Sequence, residues 1–131
     1  MKKDILIVDD EEDILTMLSH VFTDLGWEPY VAKKALDAIE LFKRVQPPLV
    51  LTDLLLHDGV GGAAVCKEIK NIAPITICVA MSGYYQESYS VSHLRRCGFD
   101  SLTEKPLLSA KCKQISEFAE CARKEWDELI K

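Results

Sequence analysis

The feature that most constrains this chain is a recurrence of short apolar runs, each rich in β-branched residues and each cut off abruptly by acids or hydroxyls. Ile5-Leu6-Ile7-Val8 ends at Asp9-Asp10-Glu11-Glu12. Leu49-Val50-Leu51-Thr52 ends at Asp53, and Ile75 to Met81 ends at Ser82-Gly83. Continuous runs of this length read as strands buried on both faces, as in a parallel sheet. Glu28 to Val31 and Ser101 to Thr103 are shorter members of the set, which makes five strands.

Segments of helical period lie between the runs. Ile14, Met17, Leu18, Val21, Phe22 and Leu25 form one apolar stripe, stopped by Gly26, and Ala35, Ala38, Ile39 and Phe42 form a second. A third helix is expected from Ala64 to Ile72, ending before Pro74, and a fourth from Ser88 to Arg96 anchored by Val91 and Leu94. The last runs from Ser109 to Lys131, with Ile115, Phe118, Ala119, Ala122, Trp126, Leu129 and Ile130 along its stripe. Strict alternation of strand and helix implies right-handed crossovers and helices on both faces. The expected fold is therefore α/β, a doubly wound five-stranded parallel sheet with five helices in three layers, of flavodoxin-like plan.

The 131 residues suit one domain, and 48% apolar content fills a real interior. With 16 basic against 21 acidic side chains, the net charge of −5 and the lack of a Lys/Arg cluster speak against direct nucleic-acid binding. No apolar stretch approaches the roughly 20 residues that span a bilayer, and Met1-Lys2-Lys3-Asp4 leads into a short tetrad unlike a signal-peptide core, so a cytoplasmic location is expected. Cys66, Cys78, Cys97, Cys112 and Cys121 are scattered without a C-x-x-C, which indicates neither a disulfide framework nor a zinc site. His20, His57 and His93 are too irregularly spaced for a metal triad.

In a doubly wound sheet the ligand site lies beyond the carboxyl ends of the strands, where strand order reverses. At those ends stand Asp9-Asp10, Asp53, Ser82-Gly83 and Glu104-Lys105-Pro106. Any one of these acids would pass as a helix cap, but capping does not require all of them at successive strand ends. Carboxylates converging on one edge raise one another's pKa unless a cation joins them, and an oxygen-only set without His or Cys suits Mg²⁺. A carboxylate nucleophile, a hard cation, a hydroxyl and an ammonium are together the parts of a phosphoryl-transfer site.

On these landmarks and their spacing, the sequence from Lys3 to about Ala122 resembles the receiver domains of two-component response regulators, including the chemotaxis regulators. The resemblance implies that Asp53 is the phosphoacceptor, taking its phosphoryl group from a histidine kinase or phosphotransfer protein. Asp10, with Asp9 acting partly through water, would hold Mg²⁺ together with Asp53 and the backbone carbonyl of Leu55. Ser82 would bind a phosphoryl oxygen and Lys105 would pair with the phosphoryl group, while the Lys105–Pro106 bond is often cis in the family. The chain is then a switch and not an enzyme, apart from self-catalysed phosphoryl transfer to Asp53 and hydrolysis from it. Phosphorylation would change the surface of the fourth helix, fifth strand and fifth helix, read by a downstream effector or a fused output domain.

The sequence departs from the family pattern at Leu102, where an aromatic ring is usual, and at His57, where proline is usual, and Asp58 to Gly62 is rich in glycine. Leu55 and Tyr84, two residues beyond Asp53 and Ser82, flank the path of attacking water in the family; bulk at both implies slow loss of the phosphoryl group. Leu102 and His57 also prompt the alternative of a non-phosphorylated docking module. An aspartate-based phosphohydrolase shares the chemistry, but it resembles D-x-D after the first strand, and here the acids are adjacent. Gly59 to Ala64 matches G-x-G-x-x-A, yet Asp53 to Asp58 separate it from its strand and place two carboxylates against any pyrophosphate, which argues against a dinucleotide site. The expected domain is 1–122, with 123–131 as a helical extension. The chain is either a stand-alone receiver or one domain of a longer regulator; in the second case a phosphorylation-dependent homodimer would pair Ile115, Ala122, Trp126 and Leu129.

Overall fold

A computed structural model describes residues 2–56, 60–83 and 91–129, with the side chains of Val91 and Trp126 outside that set. Five strands form one parallel sheet: β1 (Asp4–Val8), β2 (Glu28–Ala32), β3 (Leu49–Asp53), β4 (Ile77–Ser82) and β5 (Ser101–Glu104), in the order β2-β1-β3-β4-β5. Every residue of β1 and β3 is buried, which is why their runs are continuous rather than alternating. The helices are α1 (Glu12–Asp24), α2 (Ala35–Val45), α3 (Gly62–Ile72), α4 (Val91–Arg96) and α5 (Ser109–Leu129). The first part of the expected fourth helix, from Ser88, lies outside the described residues, as do Ile130 and Lys131 at the end of the fifth.

Alternate residues of each strand feed two cores. Ile5, Ile7, Leu49, Leu51, Val79 and Met81 meet Leu15, Leu18 and Phe22 of α1 and Cys112, Ile115 and Ala119 of α5. Leu6, Val8, Val50, Cys78 and Ala80 meet α2, α3 and Leu94 of α4 on the other side. Full burial of side chains this size contributes about 1.5–3 kcal/mol each before entropy is counted. Trp27, expected as a packing residue, is buried; its Nε1–H donates to Ser116 Oγ at 2.8 Å, and Lys3 Nζ lies 5.3 Å from its ring centroid.

Four boundaries and faces differ from the sequence expectation. The fourth strand begins at Ile77 and not Ile75, because the Thr76 N–H turns back to Ala73 O at 3.1 Å and Ile77 is the first residue to pair with β3. Lys70 caps that turn, its Nζ reaching Thr76 O at 2.5 Å and Asp100 Oδ2 at 2.8 Å. The second helix runs to Val45, past its stripe, and is closed by Gln46 in the left-handed conformation (φ 49°), a role the sequence does not mark with glycine. On α1 the buried face centres on Leu15, Leu18 and Phe22, with Met17 exposed. On α5 the stripe divides: Ile115 and Ala119 pack on the sheet while Phe118 and Leu129 face outward, so Ile115 is not free to join a helix-pairing seam.

All five cysteines are free, three of them buried. The Cys78 thiol is pushed up by its hydrogen bond with Cys66 and by burial, which keeps it protonated and apolar in character. Among the described residues no helix is long and apolar enough to cross a membrane.

Candidate functional site

The strand order reverses about β1, which has β2 on one side and β3 on the other. The crevice at the carboxyl ends of β1 and β3 is therefore where a doubly wound sheet places its ligand. Asp9 follows β1 directly, with its N–H on Ala32 O at 3.1 Å, and Asp53 closes β3. Ser82 closes β4, one residue beyond Met81, the strand partner of Asp53. Lys105 follows β5, tied to β4 by its N–H on Ser82 O at 2.8 Å and joined to Pro106 by a cis peptide bond, as the family resemblance implies.

These loops bring the side chains together. Lys105 Nζ donates to Asp53 Oδ2 at 2.9 Å and stands 2.7 Å from Asp9 Oδ2. Asp9 Oδ1 accepts the Glu11 N–H at 2.9 Å, and Asp53 Oδ1 accepts the Leu55 N–H at 3.1 Å. Asp9 is fully buried and Asp53 is 7% exposed, so both charges sit where Coulomb interactions are strong. Burial pushes the Asp9 carboxyl above its ordinary range, against the pull of Lys105 and the Glu11 N–H. Burial works against the Lys105 ammonium too, but hydrogen bonds to Asp9 and Asp53 outweigh it and hold its pKa above the ordinary lysine value.

Asp9, Asp10 and Asp53 each offer an oxygen, all within 4.8 Å of one another. Asp9 Oδ2 is buried, and its one close partner is the Lys105 ammonium, an ion pair at 2.7 Å. A hard-oxygen donor set of three clustered carboxylates fits a small divalent cation such as Mg²⁺. Leu55, the remaining member of the expected metal set, is anchored to the cluster by its N–H, with its side chain outward. Leu102 is half-buried in β5 and touches the α2–α3–α4 core, while His57 and Tyr84 fall outside the described residues.

The sequence reading names Lys105 but only as a partner of the phosphoryl group, whereas it bridges two carboxylates. Two contributors it misses altogether. The Glu11 N–H and the Thr52 hydroxyl, which donates to Asp53 O at 3.1 Å, carry no signal in spacing because a backbone donor or a strand threonine looks the same everywhere.

Residues 5–116 match the response regulator receiver domain family. The regulatory protein AtoC of Escherichia coli (strain K12) is 33% identical over 96 residues, 73% of this chain and 21% of AtoC. Sporulation initiation phosphotransferase F of Bacillus subtilis (strain 168) is 32% identical over 84 residues, covering 64% of this chain and 67% of that protein. The crystal structure of NtrX from Brucella abortus superposes with a TM-score of 0.86 at 32% identity, over 98% of this chain and 30% of NtrX. The chain thus spans about a fifth of AtoC and under a third of NtrX. The chain belongs to the receiver domains of response regulators, the phosphorylation-dependent switches of two-component signalling.

Proposed function

We propose that Asp53 accepts a phosphoryl group from a histidine kinase or phosphotransfer protein. The observation that carries this reading is the lysine bridge, in which one ammonium joins the carboxylates of Asp9 and Asp53 at the reversal point of the sheet. One Asp53 oxygen forms the new P–O bond as the P–N bond of the donor phosphohistidine breaks, and the imidazole leaves with the electron pair. Lys105 compensates charge on the phosphoryl oxygens, and the Ser82 hydroxyl offers a hydrogen bond to one of them. Asp9, Asp10, Asp53 and the Leu55 carbonyl would hold Mg²⁺, which when bound supplies positive charge against the phosphoryl oxygens.

Added charge at Asp53 favours the arrangement in which Ser82 and its loop move inward, and that bias reaches the face of α4, β5 and α5. A downstream effector or a fused output domain reads the face, in a chain that works as a cytoplasmic switch and turns over no substrate beyond its own acyl phosphate. Residues 1–122 make up the switch and 123–131 are an extension beyond it, helical as far as Leu129.

Intact mass after incubation with acetyl phosphate and Mg²⁺ tests the assignment. One phosphoryl adduct is expected, absent without Mg²⁺ and absent in Asp53→Asn. The adduct should decay slowly, since the sequence has a bulky residue two beyond Asp53 and two beyond Ser82, positions that in the family flank the path of attacking water; rapid decay in Mg²⁺ would contradict that. No adduct and no beryllofluoride binding would replace the reading with a docking module.

A further inference from the structure

The start of α3 sits unusually close to the acceptor. A Cβ at Gly62 would stand 2.0 Å from the carbonyl oxygen of Asp53, a separation that no side chain can keep, and tightly at 3.0 Å from its carbonyl carbon and 3.2 Å from Leu54 Cα. The Gly62 N–H donates to Leu54 O at 3.1 Å, so the helix lies backbone on backbone over the peptide joining Asp53 to Leu54. That peptide has little room to retreat. Its N–H is bound to Met81 O at 3.0 Å, and the Thr52 hydroxyl donates to the Asp53 carbonyl. Neighbouring glycines differ: Gly61 needs its hydrogen for a positive φ of 81° and meets only Leu54 O at 3.5 Å, and a Cβ at Gly83 would meet nothing closer than 4.0 Å.

We propose that Gly62 is a positioning residue of the acceptor, setting the orientation of the Asp53 carboxylate through the contact of α3 with the Asp53–Leu54 peptide. The inference rests on Asp53 being the acceptor. The link is short: Leu55, one peptide further on, supplies the N–H that holds Asp53 Oδ1. A methyl at position 62 must drive apart α3 and the Asp53 carbonyl, and either movement shifts that donor relative to the carboxylate. Displacement of a reacting group by as little as 1 Å lowers rates by up to about 100-fold.

The test compares the full chain with Gly62→Ala, Thr52→Val and Ile69→Val, all measured well below their melting temperatures. Two quantities are read: the second-order rate constant for labelling by acetyl phosphate, and the Mg²⁺ dissociation constant by calorimetry. Gly62→Ala is expected to lose about tenfold or more in rate and several-fold in Mg²⁺ affinity. Ile69→Val, which removes a methyl from the buried face of α3, should melt lower yet keep both constants. Wild-type constants in Gly62→Ala, or equal losses in Ile69→Val, would overturn the proposal. If Gly62→Ala does not fold, Thr52→Val decides. It frees the same carbonyl without added bulk and should lose about threefold in rate; no change would overturn the proposal. A wild-type chain that neither labels nor binds beryllofluoride sinks the acceptor assignment instead, and the Mg²⁺ constants then still report whether Gly62 orients the Asp53 carboxylate.

Discussion

Asp9 works against the fold that it serves. Its carboxyl is fully buried and its pKa lies above the ordinary 3.8, so the folded state holds the proton more tightly than the unfolded chain does. The contribution of this group to folding is therefore fully present below about pH 3.8 and is lost as pH rises through the elevated folded value. Once ionised, the buried carboxylate is a cost to the fold. Asp9→Asn should stabilise the protein by about 1 kcal/mol at pH 7, because Lys105 keeps Asp53 as its partner and a desolvated charge is removed. The gain should vanish at acid pH, where the wild-type carboxyl is itself neutral. Urea unfolding of both proteins across pH 3.5 to 7 checks the sign, and a variant that is less stable at pH 7 would contradict it. The same substitution should weaken Mg²⁺ binding.

At the scale of elements, the sequence exposed what repetition makes visible and hid what single contacts decide. β1 and β3 were legible because burial on both faces leaves unbroken apolar runs, and α3 because Val65 and Ile69 share its inner face. The start of β4 was not, since Ile75 and Thr76 have strand chemistry but the chain is turned there by the bonds of Thr76 to Ala73 and Lys70. The inner face of α5 was only half legible. Ser116 is buried there among apolar neighbours, and what makes it tolerable is the indole N–H of Trp27, 89 positions away in sequence. Ser116→Ala should cost about 1–3 kcal/mol by leaving that donor buried without a partner. Denaturant unfolding followed by Trp27 fluorescence measures it, and a shifted emission in the folded state is expected as well. A neutral result would mean that water replaces the hydroxyl.

For the whole molecule, the carboxyl edge of the sheet was readable because the site residues sit at the last position of a strand or within two residues beyond it, and strand ends can be found by pattern. The bridging geometry of Lys105 and the approach of α3 to Asp53 were not, because both depend on distances between loops. The outward residues of α5 bear on assembly. With Ile115 packed on the sheet, a homodimer through the last helix would have to use Ala122, Leu129 and neighbouring positions, a narrower seam than the sequence stripe suggested. Sedimentation velocity with and without acetyl phosphate should show association only in the phosphorylated sample; a monomer in both would remove the homodimer from the proposed outputs. The lysine bridge has a further meaning for the life of the chain before any signal arrives. With an ammonium already standing between Asp9 and Asp53, a newly made protein carries its own interim counter-ion. On the proposed reading its folding does not wait for a divalent ion, and Mg²⁺ is called for only at the transfer step.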